Sequence, residues 1–159
     1  MQSRSTATPT ASTCSSALSP PTCSSRRPSV PGPHIYDYAI VRVVPRVERG
    51  EFINAGVIVS CAAKGFLKAR IELDESRLLA LDAKADLESV KANLATIPAI
   101  CVGGDGAGPI GKLSVRERFH WLVAPRSTVI QTSAVHMGRC EDMEAALDHL
   151  VEKMVRRPA

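Results

Sequence analysis

Apolar and polar positions alternate unevenly along this chain, and the clearest pattern has a period of two. YDYAIVRVV, residues 36–44, is rich in β-branched and aromatic residues and stops at Pro45, which predicts a strand. EFINAGVIVSCAAKGFLKARIELD, residues 51–74, predicts a hairpin. Its first arm offers Ile53, Ala55, Val57, Val59 and Cys61 to one face. Its second offers Leu67, Ala69, Ile71 and Leu73 to one face and Lys68, Arg70 and Glu72 to the other. Ala62-Ala63-Lys64-Gly65 supplies the turn, with Gly65 able to take a positive φ.

The period then lengthens. Asp74 can cap a short helix over ESRLLAL, and Asp86 one over LESVKANLATI, where Leu87, Val90 and Leu94 share a face. After a glycine-rich connection read as flexible, Ser114 and Glu117 have capping-box spacing for VRERFHWLV, a helix whose end anchors Trp121 and which Pro125 stops. STVIQTSAVHM reads as one strand, with His136 in phase with Thr128, Ile130, Thr132 and Ala134. The last helix places Met143, Ala146, Leu147, Leu150, Val151 and Met154 on one stripe, and Arg156 and Arg157 suit its C-terminal dipole. Strands, helices, a strand and a helix in that order predict an α+β fold. Its sheet is mainly antiparallel, a hairpin plus additional strands packed by three to four helices, with no internal repeat.

Residues 1–34 break this pattern: they are Ser, Thr and Pro throughout, without apolar periodicity. Such a segment buries too little surface to offset its ordering entropy, so it is expected to be a disordered, dispensable extension. It has no continuous apolar stretch of a secretory signal, although its Arg/Ser-rich, acid-free composition is superficially that of a transit peptide. The expected single domain is 35–159. Length agrees, since 159 residues leave room for one modest core. Aromatic residues are only 4%, so aliphatic side chains and Ala must fill it.

The net charge of +4 means less than it suggests, because Arg4, Arg26 and Arg27 in the extension supply +3 of it. The remainder carries 17 basic and 16 acidic residues, 17 − 16 = +1, too balanced for a general nucleic-acid binder. No stretch approaches the roughly 18 apolar residues that cross a bilayer, so no membrane role is expected. Cys14, Cys23, Cys61, Cys101 and Cys140 show neither C-x-x-C nor metal spacing. Reduced thiols, a cytoplasmic location and no metal or cofactor follow as expectations.

Several motifs look chemical. In GGDGAGPIGK, Gly106, Gly108 and Gly111 match G-x-G-x-x-G, and Lys112 nearly completes a phosphate-binding loop. However, Leu113 stands where Ser or Thr would bind magnesium, Pro109 removes an amide donor, and no βαβ unit surrounds it. The motif is a decoy. His120 and His149 read as helix-face residues, and Cys61, Cys101 and Cys140 as small buried hydrophobes. His136 is the one weak candidate acid/base, without a nucleophile or orienting carboxylate beside it. Arg126, Ser127 and Thr128 at a strand entry can hold an anion, with Gln131 to orient it. Arg42 interrupts an apolar strand and needs a partner or a cleft, and Asn54 lies beneath the neighbouring loop. That loop, with Arg46, Glu48, Arg49 and Glu51, is a candidate interaction surface, as is the charged face of 66–73.

YDYAIVRVVPRVERGEFINAGVIVSC and RFHWLVAPRSTVIQTSAVHMG together resemble a family of small bacterial proteins, domain of unknown function 3037, over about residues 35 to 156. The resemblance brings no activity and no catalytic residues. It implies an accessory role, with a HipA-like kinase as partner. Two readings follow. One is an interaction or accessory module. The other is an anion-site protein or enzyme acting on a phosphorylated or nucleotide substrate, which requires Arg42, Arg126 and His136 to converge.

Overall fold

The computed structural model describes residues 32–156. The extension expected over 1–34 lies outside the described residues as far as Pro31, and His34 already opens the first strand. Three strands come first, β1 (His34–Val43), β2 (Ile53–Cys61) and β3 (Phe66–Ile71). Four helices follow, α1 (Glu75–Leu81), α2 (Leu87–Val102), the one-turn α3 (Gly108–Gly111) and α4 (Val115–Val123). Two short strands, β4 (Ile130–Thr132) and β5 (His136–Cys140), and helix α5 (Met143–Met154) complete the chain. The sheet runs β3-β2-β1, with β4 and β5 in line along the far side of β1, and every pairing is antiparallel. This is the α+β fold that the pattern predicts. Its fifth helix, α3, forms inside the glycine stretch.

Local chemistry sets most boundaries. Gly65 takes φ 60° at the hairpin turn. The Asp74 carboxylate accepts from the Arg77 amide, Asp86 from Ser89, and Ser114 and Glu117 close a full capping box. Helix α2 passes its expected end at Ile97 and continues through Pro98 to Val102. Proline weakens a helix interior, but here Ile100 and Cys101 are buried and their carbonyls accept from the Arg118 guanidinium at 2.9 and 2.7 Å. The glycine connection is not the flexible link expected. Gly104 donates to the Gly111 carbonyl at 3.0 Å. A Cβ on Gly103, at φ +77°, would strike the Arg118 guanidinium. These glycines let the chain close on itself, not on a phosphate.

Both neighbours of β1 slip by one residue. On β2 the register changes between Val41↔Gly56 and Arg42↔Asn54. On the other side it changes between Val41↔Thr132 and Tyr38↔His136. A one-residue slip sends every later side chain to the opposite face. The apolar set of the first hairpin arm is therefore divided. Ile53 and Ala55 pack with α2 and α4, whereas Val57, Val59 and Cys61 pack with α5. The expected single strand over 127–137 becomes two, and His136 no longer shares the face of Ile130 and Thr132.

Helix α5 covers the other side of the hairpin. Met143, Ala146, Leu147, Leu150 and Val151 are all buried against Val57, Val59 and Cys61. On β3, Leu67, Ala69 and Ile71 share one face, as expected, and it packs toward α2. The charged face pairs across to α5: Lys68 with Glu144, Arg70 with Asp148, and Glu72 with Arg156 at 2.8 Å. Full burial of one large aliphatic side chain contributes about 1.5–3 kcal/mol, while an exposed ion pair contributes roughly 0–1 kcal/mol. The apolar stripe holds α5, and the ion pairs orient it. That face of β3, expected as an interaction surface, thus has its charges paired with α5 and a residue just past it while they stay partly exposed.

Candidate functional site

The polar stretch after α4 is positioned by three anchors. Arg118, 8% exposed, ties α4 to the end of α2 through the two carbonyls above. Phe119 and Leu122 are buried in the core. Trp121, near the end of this helix, is 37% exposed at the surface. Ala124 turns the backbone extended before Pro125, and the Arg126 guanidinium stacks 4.1 Å from the centre of the Trp121 ring. Arg126 also donates to the Trp121 carbonyl at 2.6 Å. Thr128 donates to the Ile130 carbonyl, and Gln131 to the Thr128 carbonyl. These bonds shape the wall of a groove of about 350 Å³ between α2, α4 and β4. Ile97 and Ile100 supply apolar lining, Asn93, Thr96 and Thr128 polar lining, and no carboxylate lines it.

Beyond the groove the chain hooks onto β1 through Ser133, which is buried. Its amide donates to the Ile40 carbonyl, and its hydroxyl accepts from the Ile40 amide, both at 2.9 Å. The side chain thus replaces a backbone carbonyl at the slip. Beyond it, β5 pairs only with β1 among the described residues, so its outer edge is open. Ile35 and Val135 are 58% and 44% exposed here, and Met137 77%.

Arg42 lies in a row across the sheet, opposite Asn54 on β2 and Gln131 on β4. Its guanidinium stacks 4.3 Å from the centre of the Phe52 ring. Asn54 donates to the Met154 carbonyl at 2.8 Å and so ties β2 to the end of α5. The buried Nε of Arg42 and Oδ1 of Asn54 have no partner among the described residues. Ser127 is exposed. The exposed His136 has its ring 5.3 Å from that of Tyr38, four residues along β1 from Arg42, or about 13 Å. Arg42 on Phe52, Arg126 on Trp121 and His136 on Tyr38 occupy separate places, and no one cleft holds all three.

The loop before β2 spends most of its charge internally. Arg46 pairs with Asp82 at 3.3 Å and Arg49 with Glu51 at 2.8 Å, and each bond holds its carboxyl below the usual range. Glu48 is exposed. Burial pushes the Cys101 thiol up to about 12, the opposite of what a nucleophile needs. Cys61 is also buried, Cys140 is half-buried, and His120 and His149 are exposed. Cys14 and Cys23 lie outside the described residues. Among the described residues no three His, Cys, Asp or Glu side chains gather as metal ligands, and no helix is long and apolar enough to cross a membrane.

Sequence reading missed two residues that build this region. Arg118 has a readable signal, because it falls on the buried stripe with Val115, Phe119 and Leu122. Ser133 has none, since its role depends on a register slip.

Residues 38–155 match the family model described as protein of unknown function (DUF3037), and the chain belongs to that family. No curated protein and no solved structure matches it.

Proposed function

We propose that this member of the DUF3037 family is a small cytoplasmic accessory module that docks a protein partner on its β4–β5 edge. The open edge carries the reading. β5 leaves alternate backbone groups unpaired along a strand beside Ile35, Val135 and Met137, all exposed. Exposed apolar side chains clustered at an unpaired edge are what a strand-accepting surface offers. A HipA-like kinase is the first partner to test. Co-expression of the full chain with such a kinase from the same genome should give a complex that co-elutes on size exclusion. Met137→Asp should abolish co-elution, and Arg49→Glu in the internally paired loop should leave it intact. A complex indifferent to Met137→Asp but lost with Arg49→Glu would move the docking surface to residues 46–51.

A second reading, a protein that binds or acts on a phosphorylated or nucleotide ligand, has one observation behind it. Arg126 is oriented beside a groove with no carboxylate in its lining. Thermal stabilisation by ATP or inorganic phosphate that disappears with Arg126→Ala would support it. Arg42, whose strand partner Gln131 borders that groove, and His136 do not line it.

A further inference from the structure

We infer that the segment docking on this edge is an extended, acidic stretch of the partner chain, which adds a strand to β5 and seats a carboxylate on Arg126. The inference rests on the docking reading above and adds the partner's chemistry.

The backbone comes first. Strand β5 makes its ladder with β1 alone among the described residues. The outward N–H and C=O groups of such an edge are satisfied as a row only by another extended chain. Side chains come second. Ile35 and Met137 point to the same face, because Ile35 pairs with Arg139 and Asp37 with Met137. Alternate residues of an added strand would cover both. Past Ser133 the edge leads to the groove beside β4, where Ile97, Ile100 and Trp121 give an apolar pocket. Its volume of about 350 Å³ lies near the lower limit of small-molecule sites, roughly 300–1,000 Å³, and suits one or two side chains of such a segment.

Charge selects the partner. The stretch 125–140 carries Arg126 and Arg139 and no carboxylate, so that Asp37, across from Met137 on β1, and Glu141 and Asp142 just past β5 are the acids nearest to it in the strand pairing and the sequence. Neither arginine forms an ion pair among the described residues, whereas Arg46, Arg49, Arg70 and Arg156 all do. Stacking on Trp121 fixes the Arg126 guanidinium plane, so an incoming carboxylate meets a pre-oriented fork of donors. Acidic residues on the partner complement this edge. A second copy of the chain would oppose Arg126 and Arg139 with the same charges. A nucleic acid calls for more positive charge than the +1 of residues 35–159.

The test is photo-crosslinking of the full chain in its own cells. A photo-reactive phenylalanine analogue is placed at Met137, at Val47 in the charged loop, or at Val102, which is 82% exposed at the end of α2. The crosslinked peptide is then sequenced by mass spectrometry. Position 137 should capture an acid-rich segment of one protein. Combining Arg126→Glu with Arg139→Glu should lower that yield about tenfold. The purified complex should protect amides 136–140 from hydrogen exchange. Capture of an acid-poor segment, a second copy of this chain or nucleic acid would overturn the inference, as would a yield indifferent to charge reversal. Capture from position 47 or 102 but not 137 would leave an accessory module standing and remove this inference. Capture from none of the three would remove both.

Discussion

On the β3 flank, Lys68, Arg70 and Glu72 each meet an opposite charge on α5 or just past its end, above a closed apolar stripe. On the β4–β5 flank, Arg42 and Arg126 rest on aromatic rings and Arg139 is exposed, with no carboxylate paired to any of them among the described residues. Cations occur on both flanks, but their uses differ. Paired with a carboxylate, an arginine spends its donors inside the molecule. Stacked on Trp121, Arg126 is held in place with one donor on the Trp121 carbonyl and none on a carboxylate among the described residues, and an exposed strand edge lies in the same stretch of chain. One flank spends its charges on each other, and the other keeps its arginines clear of carboxylates among the described residues.

The contrast can be broken most forcefully from the closed side. Leu147, 2% exposed, sits at the centre of the α5 stripe, so Leu147→Ala should cost about 2–5 kcal/mol in a urea unfolding curve. Met137→Ser at the open edge should shift the same curve by less than about 0.5 kcal/mol. Equal losses would mean that the edge is packed. Ser133→Ala comes next. It strands the buried Ile40 amide and should cost about 1–3 kcal/mol, with faster hydrogen exchange at Ile40.

Acid should separate the flanks by a smaller margin. Arg156 holds the Glu72 carboxyl below its ordinary value. That contribution is present above the unfolded carboxyl's titration and is lost as pH falls through the lower folded value. The stability gap between the parent and Arg156→Gln should therefore close as pH is taken from 6 toward 3. A gap that held constant would remove Glu72 as its origin. Smallest of all, Arg139→Ala should leave thermal stability unchanged, because Arg139 has no ion-pair partner among the described residues; a clear drop in Tm would reveal one.

Much of the closed flank was legible in the sequence, because helix periodicity, caps and the two faces of 67–73 are local signals. The 143–154 stripe does what its spacing predicts, as do the caps Asp74, Asp86 and Ser114, the last two on the helices that border the groove of the open flank. The open flank was legible only in composition. Arg126, Thr128 and Gln131 do come to one groove, as their nearness in sequence suggested. Arg42 and Asn54 form a row across the sheet that meets the groove only through Gln131, and His136 is separated from both. A period-two reading carries side chains forward in phase, and it has no means of registering a residue that shifts the phase. On α4 the tie to the end of α2 runs through Arg118, one helical turn before Trp121, and the Arg118 guanidinium reaches two backbone carbonyls.

The two slips beside β1 bear on how this chain tolerates changes in length. Around Ala55 and between Ser133 and Val135, the added residue acts as a phase shifter. Trimming one residue from either place would not shorten a loop. It would exchange inside and outside for the remainder of that strand, sending Val57, Val59 and Cys61 away from α5, or Met137 from the open edge toward the opposite face. Within the sheet, then, chain length at these two points is as much a part of the code as side-chain identity, and a homologue that lost one residue there would have to rewrite the strand that follows.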